Sequence, residues 1–235
     1  MKEDFPEAAA GRTNADGNRD FFVRVRGRVW RLSRACNLEE LWESMASEPG
    51  CLEDDRLPYW TELWPASVAL AGWLAHMQPK ITGRSCLDMG CGLGLTALVG
   101  QWLGARVTAI DYEEDALRCA SDNARLNGMA PPEWVVMDWR RPAVRAGSQD
   151  CVWGGDIVYE RRFASPVLRF LDHALKADGV VWLAEPGRSV YDFFLDALHG
   201  AGWQARVVCE ESVPPFYAEA VPVSVRVWEL RRRAG

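Results

Sequence analysis

The sequence predicts an α/β protein: a doubly wound, mostly parallel seven-stranded sheet with an antiparallel C-terminal strand, preceded by a small N-terminal hairpin and helix. Three observations carry this. From residue 59 onward, short apolar runs alternate with segments of helical period. The apolar run at 85–89 opens directly into glycines at alternate positions, Gly90, Gly92 and Gly94. The last two apolar runs, 203–210 and 221–230, follow each other without a helix between them, which makes them antiparallel neighbours.

The elements follow in order. Residues 1–20 are polar and rich in Gly, Asn and Asp, the composition of a flexible tail. Residues 21–32 alternate as FFVRVRGRVWRL around Gly27, which predicts a short hairpin with its arginines in water. Asn37 caps a predicted helix whose Leu38, Leu41, Trp42 and Met45 share one face. Hairpin and helix form an appendage over 21–57, and a Pro- and acid-rich connector (48–58) leads to the main domain at 58–235. Pro65 suits the first turn of a helix running to Met77. Strands are predicted at 85–89, 106–110, 133–137, 150–155 and 179–185, with helices at 95–103, 113–126, 162–176 and 189–200. Asn127-Gly128 is a helix stop signal.

At 235 residues and 49% hydrophobic, such a chain buries a core without needing disulfides or metals. No apolar stretch approaches the roughly 18 residues of a membrane span, and residues 1–20 have no apolar segment and too many acids for a leader peptide. The expectation is a cytoplasmic protein. Its net charge of −6 (27 basic, 33 acidic side chains) argues against nucleic-acid and anionic-membrane partners. Seven scattered cysteines (36, 51, 86, 91, 119, 151, 209) lack C-x-x-C spacing and read as reduced core thiols. His76, His173 and His199 pair with no cysteine at ligand spacing, so no metal site is expected. The arginine clusters at 140–141, 161–162 and 231–233 read as solvated surface, or else as docking points for an acidic partner.

The most informative segment is Asp88-Met89-Gly90-Cys91-Gly92-Leu93-Gly94. Glycines between a strand and a helix permit a sharp turn and a close ligand approach to the main chain. Asp111 stands 21 residues after Gly90 at the end of the next strand, a spacing that lets a carboxylate receive both hydroxyls of a ribose. The third glycine comes one residue too early for G-x-G-x-x-G, which disfavours a pyrophosphate. Asp88, just before the loop, suits a cationic ligand end better than a phosphate. A turn without a ligand is the alternative.

D-x-G-x-G-x-G followed by a strand-end acid resembles the class I, Rossmann-like methyltransferases that use S-adenosyl-L-methionine. The resemblance implies that Asp88, Gly90, Gly92 and Gly94 lie against the methionine part of the cofactor. It implies that Asp111, with Tyr112 beside it, holds the ribose, and that Asp138 and Trp139 meet the adenine, core packing being the alternative for Trp139. Three further segments are similar to the family 16 protein-lysine methyltransferases: Trp64-Pro65, which puts Trp64 by the cofactor; Asp156-Ile157-Val158-Tyr159, matching D-x-x-Y; and Glu185-Pro186-Gly187-Arg188. The last looks like the D-P-G-R of the lysine methyltransferases acting on electron-transfer flavoprotein β subunit, with Glu in place of Asp. The likeness covers about 58–230.

The resemblance implies a protein-lysine N-methyltransferase with Asp156, Tyr159 and Glu185 as catalytic residues. Asp156 would orient the ammonium, Tyr159 would hydrogen-bond to the nitrogen, and Glu185 would steer the substrate, unless the last two only brace their loops. Tyr59, Trp60 and Phe216 are candidates to line a channel for the lysine stem. The fourth strand lacks the prolines of (N/D)-P-P-(Y/F), which argues against a base or glutamine acceptor. The alternatives are a small-molecule N- or O-methyltransferase and a catalytically silent cofactor-binding protein. A protein acceptor is the expected partner, and a monomer is assumed.

Overall fold

The computed structural model describes residues 7–13, 19–34, 58–214 and 221–233. The chain begins with a three-stranded antiparallel sheet: β1 (Glu7–Thr13), β2 (Arg19–Val25) and β3 (Arg28–Arg34). A 3₁₀ turn at Tyr59–Thr61 leads to helix α1 (Pro65–His76) and the short α2 (Gln78–Ile81). Then come β4 (Ser85–Met89), α3 (Leu95–Trp102), β5 (Arg106–Asp111), α4 (Glu114–Leu126), β6 (Glu133–Val136) and β7 (Gln149–Gly155). The series closes with α5 (Arg161–Ala174), β8 (Leu175–Glu185), α6 (Val190–Gly200), β9 (Trp203–Val213) and β10 (Val223–Arg232).

Strands β4 to β10 form the expected seven-stranded sheet, ordered β6-β5-β4-β7-β8-β10-β9. Pairings from β6 through β8 are parallel, and β10 runs antiparallel to both β8 and β9. The order reverses between β4 and β7, so the carboxyl ends of these two strands open a crevice at the topological switch point.

Two expectations need correction. Glu7–Thr13, within the predicted flexible tail, is a strand that pairs with β2, closing an edge the hairpin would otherwise leave open. And β8 starts at Leu175, directly after α5, rather than at 179. The reason is that Leu175 is buried and pairs with Gln149, with its side chain beneath Gly179, where a methyl group would lie 2.6 Å from Leu175 Cγ. The helix predicted after Asn37, the 48–58 connector apart from Pro58, and Phe216 lie outside the described residues.

The predicted hairpin is present, turning through Arg26 (φ +47°) and Gly27 (φ +79°), both left-handed as a two-residue type I′ turn requires. Phe21, Val23, Val25, Trp30 and Leu32 are fully buried, each worth roughly 1.5–3 kcal/mol on leaving water. They join the apolar cluster of α1 and α3, so hairpin and large sheet share a core. Helix α1 lies in the middle of that core and touches both sheets, which is why its sequence, PASVALAGWLAH, has almost no polar face. The outer edge of β3 is closed by side chains of α4. Arg31 N–H donates to Asn127 Oδ1 (2.9 Å), Asn127 Nδ2 donates to Arg31 O (2.7 Å), and Ser33 N–H donates to Asn123 Oδ1 (2.8 Å).

The turn into α3 is tight. Gly94 caps the helix at φ +87°, and a methyl group there would sit 2.9 Å from Ala120 Cβ. Gly128 has φ +61° with open space around it. Gly128→Ala is therefore expected to cost only the left-handed backbone penalty of about 1–2 kcal/mol. Gly94→Ala should cost about 1–3 kcal/mol more through overpacking. Urea denaturation of both variants checks this, and equal losses would contradict it.

Candidate cofactor and acceptor site

β4 ends in a loop sewn to the end of β5. Gly90 N–H and Cys91 N–H both donate to Ile110 O (2.9 and 3.0 Å), and Gly92 N–H donates to Asp111 Oδ2 (2.9 Å). Glu113 N–H donates to Asp111 Oδ1 (3.1 Å). Gly90 (φ +68°) and Gly92 (φ +48°) both take left-handed backbones, and a methyl group at Gly90 would lie 3.0 Å from Ile157 Cγ2. Burial pushes the Asp111 carboxyl up, against the pull of the Gly92, Glu113 and Tyr112 amides.

Over this loop opens a cavity of about 690 Å³. Gly90, Gly92, Asp111, Tyr112, Asp138 and Trp139 line it. Trp64, Tyr59, Trp60, Asp156 and Tyr159 line it as well. The residues singled out in five separate stretches of sequence thus meet in one place. Six acids face the cavity (Glu62, Asp111, Glu113, Asp138, Asp156, Glu160) against three arginines (Arg140, Arg162, Arg188), a balance that favours a cationic ligand.

At the far end of the glycine loop, Arg140 Nε donates to both Asp138 oxygens (3.0 and 2.9 Å) and its guanidinium lies 5.9 Å from the Tyr112 ring. Trp139 meets both readings given for it: it lines the cavity and its ring stands edge-on to Phe163 (5.9 Å). With Trp139 the rings form a continuous band. Tyr59 stands against Trp64 (5.9 Å) and Tyr159 (5.2 Å), and Tyr159 against Phe163 (4.8 Å). Trp64 Nε1 donates to Tyr59 O (2.8 Å), fixing the W-P segment over the cavity. Burial pushes the Tyr159 phenol up to about 12, so it is neutral at physiological pH.

Asp156 takes a left-handed backbone (φ +55°), and its carboxylate is held by Arg188 through two bonds, Nε to Oδ1 (2.7 Å) and Nη2 to Oδ2 (2.6 Å). The two-pronged pair holds Arg188 more firmly in its charged form. Asp156 therefore does not stand free to receive an ammonium, as the sequence reading supposed.

Three predicted site residues lie outside the cavity wall. Gly94 caps α3. Glu185 is buried with both oxygens engaged: Oε2 accepts from Gly187 N–H (2.6 Å) and Arg188 N–H (3.0 Å), Oε1 from Arg226 Nε (2.8 Å) and Trp228 Nε1 (3.1 Å). It cannot steer a substrate; it holds the loop that aims Arg188. Asp88 is buried beneath the glycine loop, where Thr96 Oγ1 donates to its Oδ2 (2.6 Å), joining β4 to the first turn of α3.

Sequence reasoning missed Arg188 and Phe163. Arg188 was visible only as the last letter of a motif, and its partner 32 positions away leaves no periodic signal. Phe163 lies four residues after Tyr159, in the first turn of α5, a place that also suits core packing. Among the described residues no cluster of three His, Cys, Asp or Glu side chains is placed to hold a metal.

Burial pushes the Asp88 carboxyl from its ordinary 3.8 up to about 7. The native carboxyl then stays protonated while the unfolded one ionises, so this group erodes stability as pH rises from about 4 to 7 and no further. Asp88→Asn keeps an acceptor for Thr96 and should remove that slope, gaining up to a few kcal/mol over the native protein at pH 7.5 relative to pH 4.5. Chemical denaturation at the two pH values checks this; parallel curves would contradict it.

Residues 86–179 match the family model described as a methyltransferase domain. The electron transfer flavoprotein beta subunit lysine methyltransferase of Rattus norvegicus is 31% identical over 133 residues, 56% of this chain and 51% of that protein. The ribosomal protein L11 methyltransferase of Vibrio parahaemolyticus is 29% identical over 150 residues, 62% of this chain and 49% of that protein. The chain thus spans about half the length of the curated relatives it matches. Among solved structures, a ribosomal protein L11 methylase from Lactobacillus delbrueckii shares the fold with a TM-score of 0.55 and 18% identity, over 72% of this chain and 79% of that one. Residues 86–179 are thus similar to methyltransferase domains, the chain shares the Rossmann-like fold of a solved methylase, and it resembles a protein-lysine methyltransferase over about half its length.

Proposed function

We propose that the chain transfers a methyl group from S-adenosyl-L-methionine to the side-chain amine of a lysine in a protein acceptor. The carrying observation is the cavity in which the glycine loop and Asp111 face the aromatic band of Trp64, Tyr59 and Tyr159. The residues fit that cofactor. A side chain at Gly90 would press on Ile157 and Trp139 of the cavity wall, Asp111 offers ionisable oxygens set by main-chain amides, and the wall is acidic, as a sulfonium requires. The relative named for lysine methylation supports the acceptor class.

The cofactor supplies an electrophilic methyl on sulfur; the remaining work is positioning and exclusion of water. Asp111 and Gly92 hold the ribose end, and Tyr112 with Asp138 flanks the base. The rings of Tyr59 and Tyr159 bound the approach of the aliphatic stem. A lysine amine has a pKa near 10.4, so about one molecule in a few thousand is neutral at pH 7. The apolar rings disfavour the charged form, and so does the Arg188 cation. Because Arg188 occupies Asp156 and Tyr159 is a neutral phenol, neither is the base; the ammonium sheds its proton to water on entry. Asp156 and Arg188 then act as a fixed pair that shapes the acceptor end. The buried free thiols of Cys86, Cys91, Cys119 and Cys151 support a reducing, cytoplasmic setting. No helix among the described residues is long and apolar enough to cross a membrane.

Tritiated cofactor added with the protein to a lysate lacking it should label a protein band with the label on lysine. Label confined to RNA or small molecules would overturn the acceptor. Asp111→Ala should weaken S-adenosylhomocysteine binding about 10–100-fold by calorimetry, the loss of a charged hydrogen-bond partner. Asp156→Ala should bind it within about 3-fold of the native protein yet lose at least ~10²-fold in transfer through misplacement of the acceptor. Loss of binding in the second variant alone would reverse these roles.

A further inference from the structure

We propose that the N-terminal hairpin sets the geometry of the cofactor loop, with Asn123 as the positioning residue that joins them. This rests on reading the cavity as a cofactor site, and it concerns residues that do not touch that cavity: no described residue of β2 or β3 lines it. Asn123 lies on α4 with no exposed surface. Its Oδ1 accepts from Ser33 N–H on β3 (2.8 Å), and its Nδ2 donates to Leu93 O in the glycine loop (3.0 Å). Leu93 is in the cavity wall, between Gly92, whose amide binds Asp111, and Gly94, which caps α3. One buried side chain thus spans from the hairpin to the peptide that forms the cofactor floor.

The hairpin is held in register for this. Asn127 bonds both ways with Arg31 (2.9 and 2.7 Å), Arg28 Nη2 donates to Asn127 O (2.8 Å), and Cys119 Sγ donates to Ser33 O (3.2 Å). The spacing matches. Four residues along a helix rise about 6 Å, and two along a strand about 6.6 Å, so Asn123 and Asn127 meet Ser33 and Arg31 simultaneously. A second arm reaches the rim, where Arg34 pairs with Glu62 in the cavity wall. Sliding β3 breaks these bonds together and leaves the buried Asn123 amide unsatisfied, so the hairpin and the Leu93 peptide move as one.

Asn123→Asp retains an acceptor for Ser33 N–H and removes the donor to Leu93 O. Ser33→Pro removes the hairpin's donor without touching α4 or the loop, at an edge where proline is tolerated. Each full-length variant is titrated with S-adenosylhomocysteine and assayed for transfer. Asn123→Asp should weaken binding about 10-fold and Ser33→Pro about 3–10-fold. In both, the cofactor KM rises while kcat at saturating cofactor stays within about 3-fold. Native affinity in a folded Asn123→Asp or Ser33→Pro, with only the melting temperature lowered, would show the hairpin to be scaffolding and overturn the inference. Failure of the unmutated protein to bind would instead overturn the cofactor reading.

Discussion

One carbonyl and one carboxylate organise the site. Ile110 O takes two amides of the glycine loop, and Asp111 takes a third and the first amide of the turn beyond it. Because both acceptors end β5, the turn out of β4 is referenced to its parallel neighbour rather than floating above the sheet. The left-handed glycines are the price of that pinning, since a side chain at 90 or 94 collides with Ile157 or Ala120. From this seam follow the mouth of the cavity, the start of α3 and the placing of Asp111 in the cavity wall.

The acids of the site are divided by what they face. Asp111 answers only to main-chain amides among its hydrogen bonds and keeps part of its surface open to the cavity. Asp138 and Asp156 each carry an arginine, and Glu185 is spent on Arg226, Trp228 and two backbone amides. The result is a wall that remains acidic overall, with Asp138 and Asp156 each already paired to an arginine. In the function proposed above, such a wall would suit a sulfonium near Asp111 and an amine that must lose its charge beside the rings.

What the sequence made legible is what has local periodicity or fixed chain spacing. The strand–helix alternation, the glycine turn, the distance to Asp111 and the antiparallel end strands each obey a one-dimensional rule. Trp64 was also legible, through the resemblance of the W-P segment to that of the family 16 methyltransferases. Roles that depend on a partner far along the chain were not. Glu185 looked like a free strand-end acid until Arg226 and Trp228 folded against it from β10. Asp156 looked available until Arg188 closed on it, and nothing in the local sequence marks Asn123, which links segments 90 and 30 positions away. Glu7–Thr13 was hidden for a different reason: an edge strand made largely of Ala, Gly and charge has no β signal of its own and is held by pairing with β2.

The most direct measurement is a crystal structure of the protein grown with S-adenosylhomocysteine. The account predicts its ribose hydroxyls on the Asp111 carboxylate, its amino acid end over residues 90–93, and its sulfur turned toward the ring of Tyr159. A ligand seated elsewhere, or one whose sulfur faces away from the Tyr59 and Tyr159 wall, would contradict it.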